Sequence, residues 1–186
     1  MGPARSLNQM ARVERYGPGQ SATGLTPGDF ILAHRHRPLA GLISQAEKRR
    51  FRGPDAPFAH WSHAAIVAEG STVIEAETTG IVRSPISKYR EDEFHLVRLD
   101  GELDEAARKR VMEYASGRIG QAFGYLDLLG TGVYLLTGWP LRVVRKQHEI
   151  CSSLVVRALQ HGGLLTDLDP AITLPADLAK RFGARP

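Results

Sequence analysis

Short runs of β-branched and aromatic residues follow one another in the first two thirds of the chain, and turn residues separate them. Such runs predict β-strands. Two of them flank the loop at residues 68–70 and predict a β-hairpin. Together they predict an antiparallel sheet with strands at residues 29–33, 61–68, 72–77, 80–85 and 94–99.

Apolar residues recur at helical spacing in three other segments, residues 39–50, 104–117 and 152–161. The middle segment begins with Asp104, a residue that caps helix N-termini, and Glu105 follows in the first turn. Helices among antiparallel strands predict an α+β fold in which the helices pack on one sheet.

The first 24 residues contain Gly, Pro, Arg and Gln without sustained apolar periodicity, so we expect a flexible or partly docked arm. Residues 25–186 then form one domain. The arm contains no apolar stretch of about 7–15 residues of the kind a secretory signal needs. We therefore expect a cytoplasmic protein, with export by a route that needs no signal peptide as the alternative.

The composition is that of an ordinary globular domain, with 186 residues, of which 42% are hydrophobic and 24% charged. The formal net charge of +4 favours anionic partners, such as an anionic membrane surface or a cell-wall polymer. No nucleic-acid-binding motif accompanies this charge, so we expect no specific nucleic-acid partner. The sequence leaves the oligomeric state open.

Cys151 is the only cysteine in the chain, which excludes an internal disulfide. It stands where the helix at residues 152–161 is predicted to begin. The unpaired N–H groups and partial positive charge of a helix N-terminus favour the thiolate and can also bind a developing oxyanion. A thiol so placed is a candidate nucleophile; the alternative is a buried cysteine with a packing role only.

His63 is the candidate base for this thiol, and the hairpin gives it a carboxylate neighbour. If a three-residue loop closes the hairpin, Val67 pairs with Ser71 and His63 lies opposite Glu75. Side chains directly opposed in a hairpin are close enough for a carboxylate to orient an imidazole. Glu77 shares the same face, so the register decides which of the two orients His63. An exposed polar pair without a function is the alternative.

Several short motifs, in this order along the chain, resemble the circularly permuted NlpC/P60 group of papain-like proteins, and within it the YiiX-type branch. The twelve-residue spacing from His63 to Glu75, followed by a distant cysteine at a helix start, is the most specific part of the resemblance. It extends over residues 25–180 and rests on PGDFIL (27–32), SHAAIV (62–67), VIEA (73–76), GY (124–125), CSSL (151–154) and TLPADL (173–178).

The resemblance implies a permuted papain-like fold and a thiol-dependent hydrolase that needs no cofactor. Carried over by position, Cys151 is the nucleophile, His63 the general base and Glu75 the orienting residue. Tyr125 and Ser152 are the candidate substrate-binding or oxyanion-binding residues. The order of these residues along the chain, with the histidine before the cysteine, is the reverse of that in unpermuted relatives.

We expect this enzyme to cleave an amide bond of a small peptide or acyl-amino acid through a thioacyl-enzyme intermediate. Relatives in the permuted branch that resemble lipid acyltransferases and phospholipases provide a second hypothesis, a lipid substrate. A third is a non-catalytic domain that binds a ligand in the papain-like cleft.

Two further features of the sequence bear on this interpretation. Three short pairs, His34-x-His36, His60-x-x-His63 and His148-x-x-Cys151, have spacing that suits metal ligands. A structural zinc site needs four nitrogen or sulfur ligands, so we expect no metal.

Residues 126–144 are too short and interrupted to span a bilayer, which needs about 20 apolar residues. We expect a core helix followed by a loop there; the alternative is an acyl-chain groove or shallow membrane contact.

Overall fold

The computed structural model describes residues 11–35, 48, 50–122 and 150–186. In these segments it contains a six-stranded antiparallel sheet and helices packed against it, which confirms the α+β class. The strands are β1 (Arg12–Tyr16), β2 (Phe30–His34), β3 (His63–Ala68), β4 (Thr72–Glu77), β5 (Gly80–Pro85) and β6 (Glu93–Arg98). The α-helices are α1 (Glu105–Gly117), α2 (Cys151–His161) and α3 (Pro175–Phe182). Two 3-10 helices cover Gly53–His60 and Ile86–Tyr89.

The strands lie in the order β1-β6-β2-β3-β4-β5, and every neighbouring pair is antiparallel. The three strands β3, β4 and β5 form a meander through two short turns. β6 returns across the sheet and inserts between β1 and β2. This arrangement makes β2 and β3 central, and β3 is buried along its whole length.

Both faces of the sheet are covered. On one face, Phe30, Leu32 and Ile66 pack with helices α1, α2 and α3 in the main hydrophobic core. On the other face, Ile31 and Val67 belong to a second core. The 3-10 helix Ile86–Tyr89 contributes Ile86 and Tyr89 to this core, and three side chains from the N-terminal part of the chain pack against it: Tyr16, Ala22 and Leu25. Burial on both faces explains why β3 is apolar from Ala64 to Ala68 rather than alternating.

The predicted elements agree with the structure where it describes them. Strands β2, β4, β5 and β6 lie within one residue of their predicted positions, and β3 begins two residues later than predicted. Helices α1 and α2 match the helices predicted at 104–117 and 152–161. Asp104 caps α1 as expected, with its carboxylate accepting a hydrogen bond from the Ala107 N–H at 2.7 Å. The helix predicted at 39–50 lies mostly outside the described residues, and the segment 126–144 lies wholly outside them.

Part of the predicted arm is docked on the sheet, because Arg12–Tyr16 forms the edge strand β1. It pairs with β6 over five residues, and Arg98 of β6 makes two hydrogen bonds to Glu14, of 2.8 and 2.9 Å. Beyond β1, the Gly19 N–H donates a 2.7 Å hydrogen bond to the carbonyl of Arg90. The sheet therefore begins before residue 25, where we had placed the start of the domain.

The predicted register of the β3–β4 hairpin was also wrong, by two residues. Ala68 pairs with Thr72 and Val67 with Val73, so the loop is Glu69-Gly70-Ser71 and not residues 68–70. Ser71 adopts a positive φ of 56° in this loop. A shift of two residues preserves the face of every side chain, so Glu75 still shares a face with His63 but lies diagonally to it.

Asp29, from the motif PGDFIL, joins three elements in the core. Its buried carboxylate accepts hydrogen bonds from the Leu99 N–H at 3.0 Å and from Arg108 of α1 at 2.9 Å. Its backbone carbonyl accepts a 2.7 Å hydrogen bond from the Val67 N–H. The motif thus fixes the start of β2 to β3, to α1 and to the end of β6.

Gly80, at the start of β5, lies against the backbone that follows α1. Its φ is +122°, and a Cβ there would come within 2.6 Å of the Gln121 carbonyl oxygen, because Ile81 and Gln121 are hydrogen-bonded. We expect Gly80→Ala to lower the free energy of unfolding by about 3 kcal/mol, through backbone strain and this clash. Chemical denaturation measures the loss.

Gly101→Ala is the matched control for this substitution. Gly101 also has a positive φ, +83°, but a Cβ there would meet no atom within 4 Å. Strain alone is expected to cost about 1 kcal/mol. Equal losses in the two variants would contradict the close approach of Gln121 to Gly80.

Among the described residues, no helix has both the length and the apolar content needed to cross a membrane.

Candidate active site

The three candidate catalytic residues come together at one end of the central strands. His63 is the first residue of β3, Cys151 is the first residue of α2, and Glu75 lies in β4. All three residues are buried, with exposed fractions of 9% for His63, 6% for Cys151 and 0% for Glu75. Cys151 packs in the helix-covered core, whereas His63 stacks near Tyr89 of the second core. The site therefore lies at the end of the central strands, with side chains from both hydrophobic cores around it.

Glu75 accepts hydrogen bonds from three side chains. His63 Nε2 lies 2.9 Å from Glu75 Oε2, and the Tyr89 hydroxyl donates to the same oxygen at 2.6 Å. The other oxygen, Oε1, accepts a 2.7 Å hydrogen bond from Lys88 Nζ. These donors fix the carboxylate, and through it they fix the orientation of the His63 ring.

A second layer of charge surrounds Glu75. Glu77 accepts hydrogen bonds from Arg35 at 3.0 Å and from Lys88 at 2.6 Å. Arg35 also forms an ion pair with Asp92 at 3.2 Å, and its guanidinium lies 5.0 Å from the centre of the Tyr89 ring. Two cations, Arg35 and Lys88, thus bind Glu75 and Glu77 and offset the negative charge of these two carboxylates, as their burial requires.

The ionisation of the site follows from these contacts. Burial acts to raise the pKa of Glu75, but the hydrogen bonds and positive charge of His63, with the hydrogen bond from Lys88, outweigh it and leave that pKa well below its ordinary value. Glu75 is therefore a carboxylate at neutral pH.

His63 and Cys151 shift each other's ionisation. Burial acts to lower the pKa of His63, but the hydrogen bonds and negative charges of Cys151 and Glu75 raise it to about 9. Burial acts to raise the pKa of Cys151, but its hydrogen bond to His63, the charge of that ring, and the N–H groups of Ala64 and Ser152 lower it. Both shifts favour a thiolate–imidazolium pair at neutral pH. Since Glu75 binds Nε2, the ring presents Nδ1 to the sulfur.

The candidate oxyanion residues are placed in part. The Ser152 hydroxyl donates a 2.7 Å hydrogen bond to the Thr173 carbonyl, so its side chain ties α2 to the segment before α3. Its contribution to the site comes from the backbone N–H at the sulfur. The Cys151 N–H lies in the first turn of α2, where N–H groups have no helical acceptor. Tyr125 lies outside the described residues.

Three described side chains could in principle hold a metal ion, since ligand atoms of His63, Glu75 and Glu77 lie within 4.8 Å of one another. Lys88 Nζ contacts both glutamates at 2.7 and 2.6 Å, so an ammonium group already occupies the position of a cation. This set does not fit a metal centre. Of the predicted histidine pairs, His34 and His60 stack on each other with ring centres 4.0 Å apart, and His36 and His148 lie outside the described residues.

Sequence analysis missed Arg35, Lys88 and Tyr89. Arg35, just after β2, is only 9% exposed and contacts both glutamates. The sequence contained an indirect sign, because two glutamates on a buried strand face require positive partners. The pattern did not identify these partners, which come from the end of β2 and from a 3-10 helix.

Comparisons with known proteins add no relative to this description: no protein-family model matches the sequence, and no curated protein matches it significantly.

Proposed function

We propose that this protein is a cysteine hydrolase that cleaves an amide bond, of the peptide or acyl-amino-acid type, through a thioacyl-enzyme intermediate. The observation that carries the proposal is the hydrogen-bonded series Cys151–His63–Glu75, in which the pKa of the thiol is lowered and that of the imidazole raised. A cysteine with only a packing role has no need of a buried imidazole fixed by a carboxylate. The resemblance to permuted papain-like NlpC/P60 proteins supports the same fold and the amide substrate.

The first half-reaction acylates the enzyme. The Cys151 thiolate attacks the amide carbonyl carbon and forms the carbon–sulfur bond, while the Cys151 N–H stabilises the negative oxygen. His63 then transfers its Nδ1 proton to the amine nitrogen, the carbon–nitrogen bond breaks, and the amine leaves. The products of this step are a thioester on Cys151 and a neutral imidazole.

The second half-reaction uses the change in charge on the sulfur. Once the sulfur is acylated it no longer stabilises the imidazolium, while burial still acts to lower the pKa of His63. The ring gave its Nδ1 proton to the leaving amine in the first half-reaction, so it is neutral when water enters and can accept a proton from it. Hydroxide attack on the thioester releases the carboxylic acid and restores the thiolate–imidazolium pair. Glu75 holds the ring in place through Nε2 in both steps.

Acyl transfer to the sulfur is the test. We expect the protein, incubated with N-acyl-amino-acid p-nitroanilides or p-nitrophenyl esters, to gain the mass of one acyl group on Cys151 and to release p-nitroaniline or p-nitrophenol. Intact-mass spectrometry and absorbance measure the two events. Because the chain has a single cysteine, Cys151→Ala removes every thiol.

Turnover at an unchanged rate in Cys151→Ala would contradict the proposal. If no amide or ester reacts but a phospholipid acyl chain transfers to Cys151, the thiol mechanism holds and the substrate class is wrong.

A further inference from the structure

Tyr89 lies beside the candidate active site, in a position that the proposed acyl transfer does not use. Its side chain is buried, and its hydroxyl donates a 2.6 Å hydrogen bond to Glu75 Oε2. His63 Nε2 contacts the same oxygen at 2.9 Å. Two donors therefore share the negative charge of one carboxylate oxygen, and the strength of one bond affects the other.

The surroundings of Tyr89 keep its hydroxyl protonated and in place. Burial, together with the charge and the hydrogen bond of Glu75, raises the pKa of Tyr89 well above its ordinary value. The Arg35 guanidinium lies 5.0 Å from the centre of the Tyr89 ring, and the Phe94 ring centre lies 6.2 Å away. The hydroxyl therefore remains a neutral donor when the charge on His63 changes.

Charged and polar groups face Glu75 and His63 from every element packed around them. Arg35 Nη1 lies 3.8 Å from Glu75 Oε2, and Lys88 binds the other oxygen at 2.7 Å. Tyr89 thus supplies a neutral donor within a charged environment. The groups are Arg35 after β2, Glu77 in β4, Ser84 in β5, Lys88 in the same 3-10 helix as Tyr89, Asp92 before β6 and Cys151 in α2.

The balance between these groups changes when the enzyme is acylated. The sulfur of Cys151 then has no charge, and Glu75 is the carboxylate that still stabilises a protonated His63 ring. A strong attraction would keep the ring protonated, and a protonated ring cannot accept a proton from water. A carboxylate oxygen that already accepts a hydrogen bond is less basic, so the Tyr89 hydroxyl weakens this attraction.

We propose that Tyr89 is a positioning residue that holds Glu75 Oε2 against the His63 ring and limits how strongly this oxygen stabilises the protonated ring in the acyl-enzyme. The inference rests on the proposed function, since it assigns Tyr89 to the second half-reaction. In Tyr89→Phe, hydrolysis of the thioester at pH 7 is expected to slow about tenfold. Acylation by a p-nitrophenyl ester, whose leaving group needs no proton, should change much less.

Titration of His63 in the alkylated protein tests the proposal without a substrate. Iodoacetamide converts Cys151 into a neutral thioether, as acylation makes it a neutral thioester, and NMR of histidine labelled with ¹⁵N follows the ring. His63→Ala identifies the signal. We expect the midpoint in alkylated Tyr89→Phe to lie about one pH unit above that of the alkylated original protein, through loss of a hydrogen bond to a buried carboxylate.

Tyr16→Phe is the matched control, because Tyr16 also donates its hydroxyl to a carboxylate. Its bond to Glu14, of 2.9 Å, lies in the edge strand β1, away from the site. This variant loses the same chemical group and the same type of hydrogen bond. We expect it to leave the midpoint of the His63 titration unchanged.

Replacement of Tyr89 by 3-fluorotyrosine keeps the test decisive if circular dichroism shows that Tyr89→Phe does not fold. Fluorine leaves the hydroxyl in place and makes it a stronger donor, so the midpoint of His63 should fall. A midpoint that is unchanged, or that moves in the opposite direction, would overturn the proposal while leaving Cys151 as the nucleophile. Failure of Cys151 to take up an acyl group would instead contradict the proposed function, and the titration would still report on Tyr89.

Discussion

Replacing His63 with alanine is expected to slow alkylation of Cys151 by iodoacetamide about 100-fold at pH 6. A thiol with an ordinary pKa of about 8.5 is only about 0.3% ionised at that pH, and the slightly greater nucleophilicity of a more basic thiolate recovers part of the loss. In the original protein His63 lowers the pKa of Cys151, so the reactive thiolate persists below the ordinary range. The rate is measured by mass spectrometry from pH 5 to pH 10.

The pH dependence has a defined direction at both ends. In the original protein, protonation of the thiolate as the pH falls occurs below the ordinary thiol pKa. At the alkaline end, His63 loses its proton as the pH rises through about 9, because its pKa is raised to that value. In His63→Ala the burial of Cys151 acts unopposed by the imidazolium, so the half-maximal rate moves to higher pH.

Denatured protein provides the control for this experiment. In guanidinium chloride both chains contain an ordinary exposed thiol, so their pH profiles should coincide. Profiles that already coincide in the folded proteins would show that His63 does not activate Cys151, and the acyl-transfer proposal would fail with them.

Glu75→Gln is expected to have the second large effect, on both stability and chemistry. The side chain receives three donors, from His63, Tyr89 and Lys88, and an uncharged amide of the same size has one acceptor oxygen and adds two donor hydrogens of its own. Breaking a buried ion pair on one side costs about 3 kcal/mol or more. By analogy with the loss of the orienting carboxylate in a serine triad, turnover should fall about 10³- to 10⁴-fold.

Glu77→Gln is the matched comparison, since it removes the neighbouring carboxylate of the same strand. Glu77 binds Arg35 and Lys88, while Glu75 holds His63. We expect this variant to lose about 1 kcal/mol of stability and to keep the alkylation profile of the original protein. Chemical denaturation and iodoacetamide labelling measure both quantities. If Glu77→Gln changed the profile as much as Glu75→Gln, the assignment of Glu75 as the orienting residue would be wrong.

The sequence predicted the meander and the α2 helix because their periodicity is local. It also predicted the contact of His63 with Glu75, although the predicted register was wrong by two residues. The contact survives this error because a shift by an even number of residues leaves every side chain on the same face of the sheet. The directly opposed position belongs to Glu77 when the observed register is extended, yet Glu75 reaches the ring from the diagonal position.

Other features depended on contacts between distant parts of the chain. The sequence of β1, RVERY, is short and polar, as edge strands often are, and it resembles a loop until β6 lies beside it. Lys88 and Tyr89 reach Glu75 from a 3-10 helix, which has no hydrophobic period to reveal which side chains point inward. Tertiary packing, rather than local preference, determines such positions.

The order of the strands also bears on when the protein becomes reactive. His63 and Glu75 are twelve residues apart in a meander that needs only short loops to close, whereas Cys151 joins them from a helix much later in the chain. Short-range pairings form at low entropic cost, and distant ones follow. A partly folded or newly synthesised chain therefore contains an ordinary thiol, protected from electrophiles and oxidants by its own pKa. Activation of Cys151 by His63 therefore requires that α2 is docked on the sheet, and a chain in which this contact has not formed has an ordinary thiol.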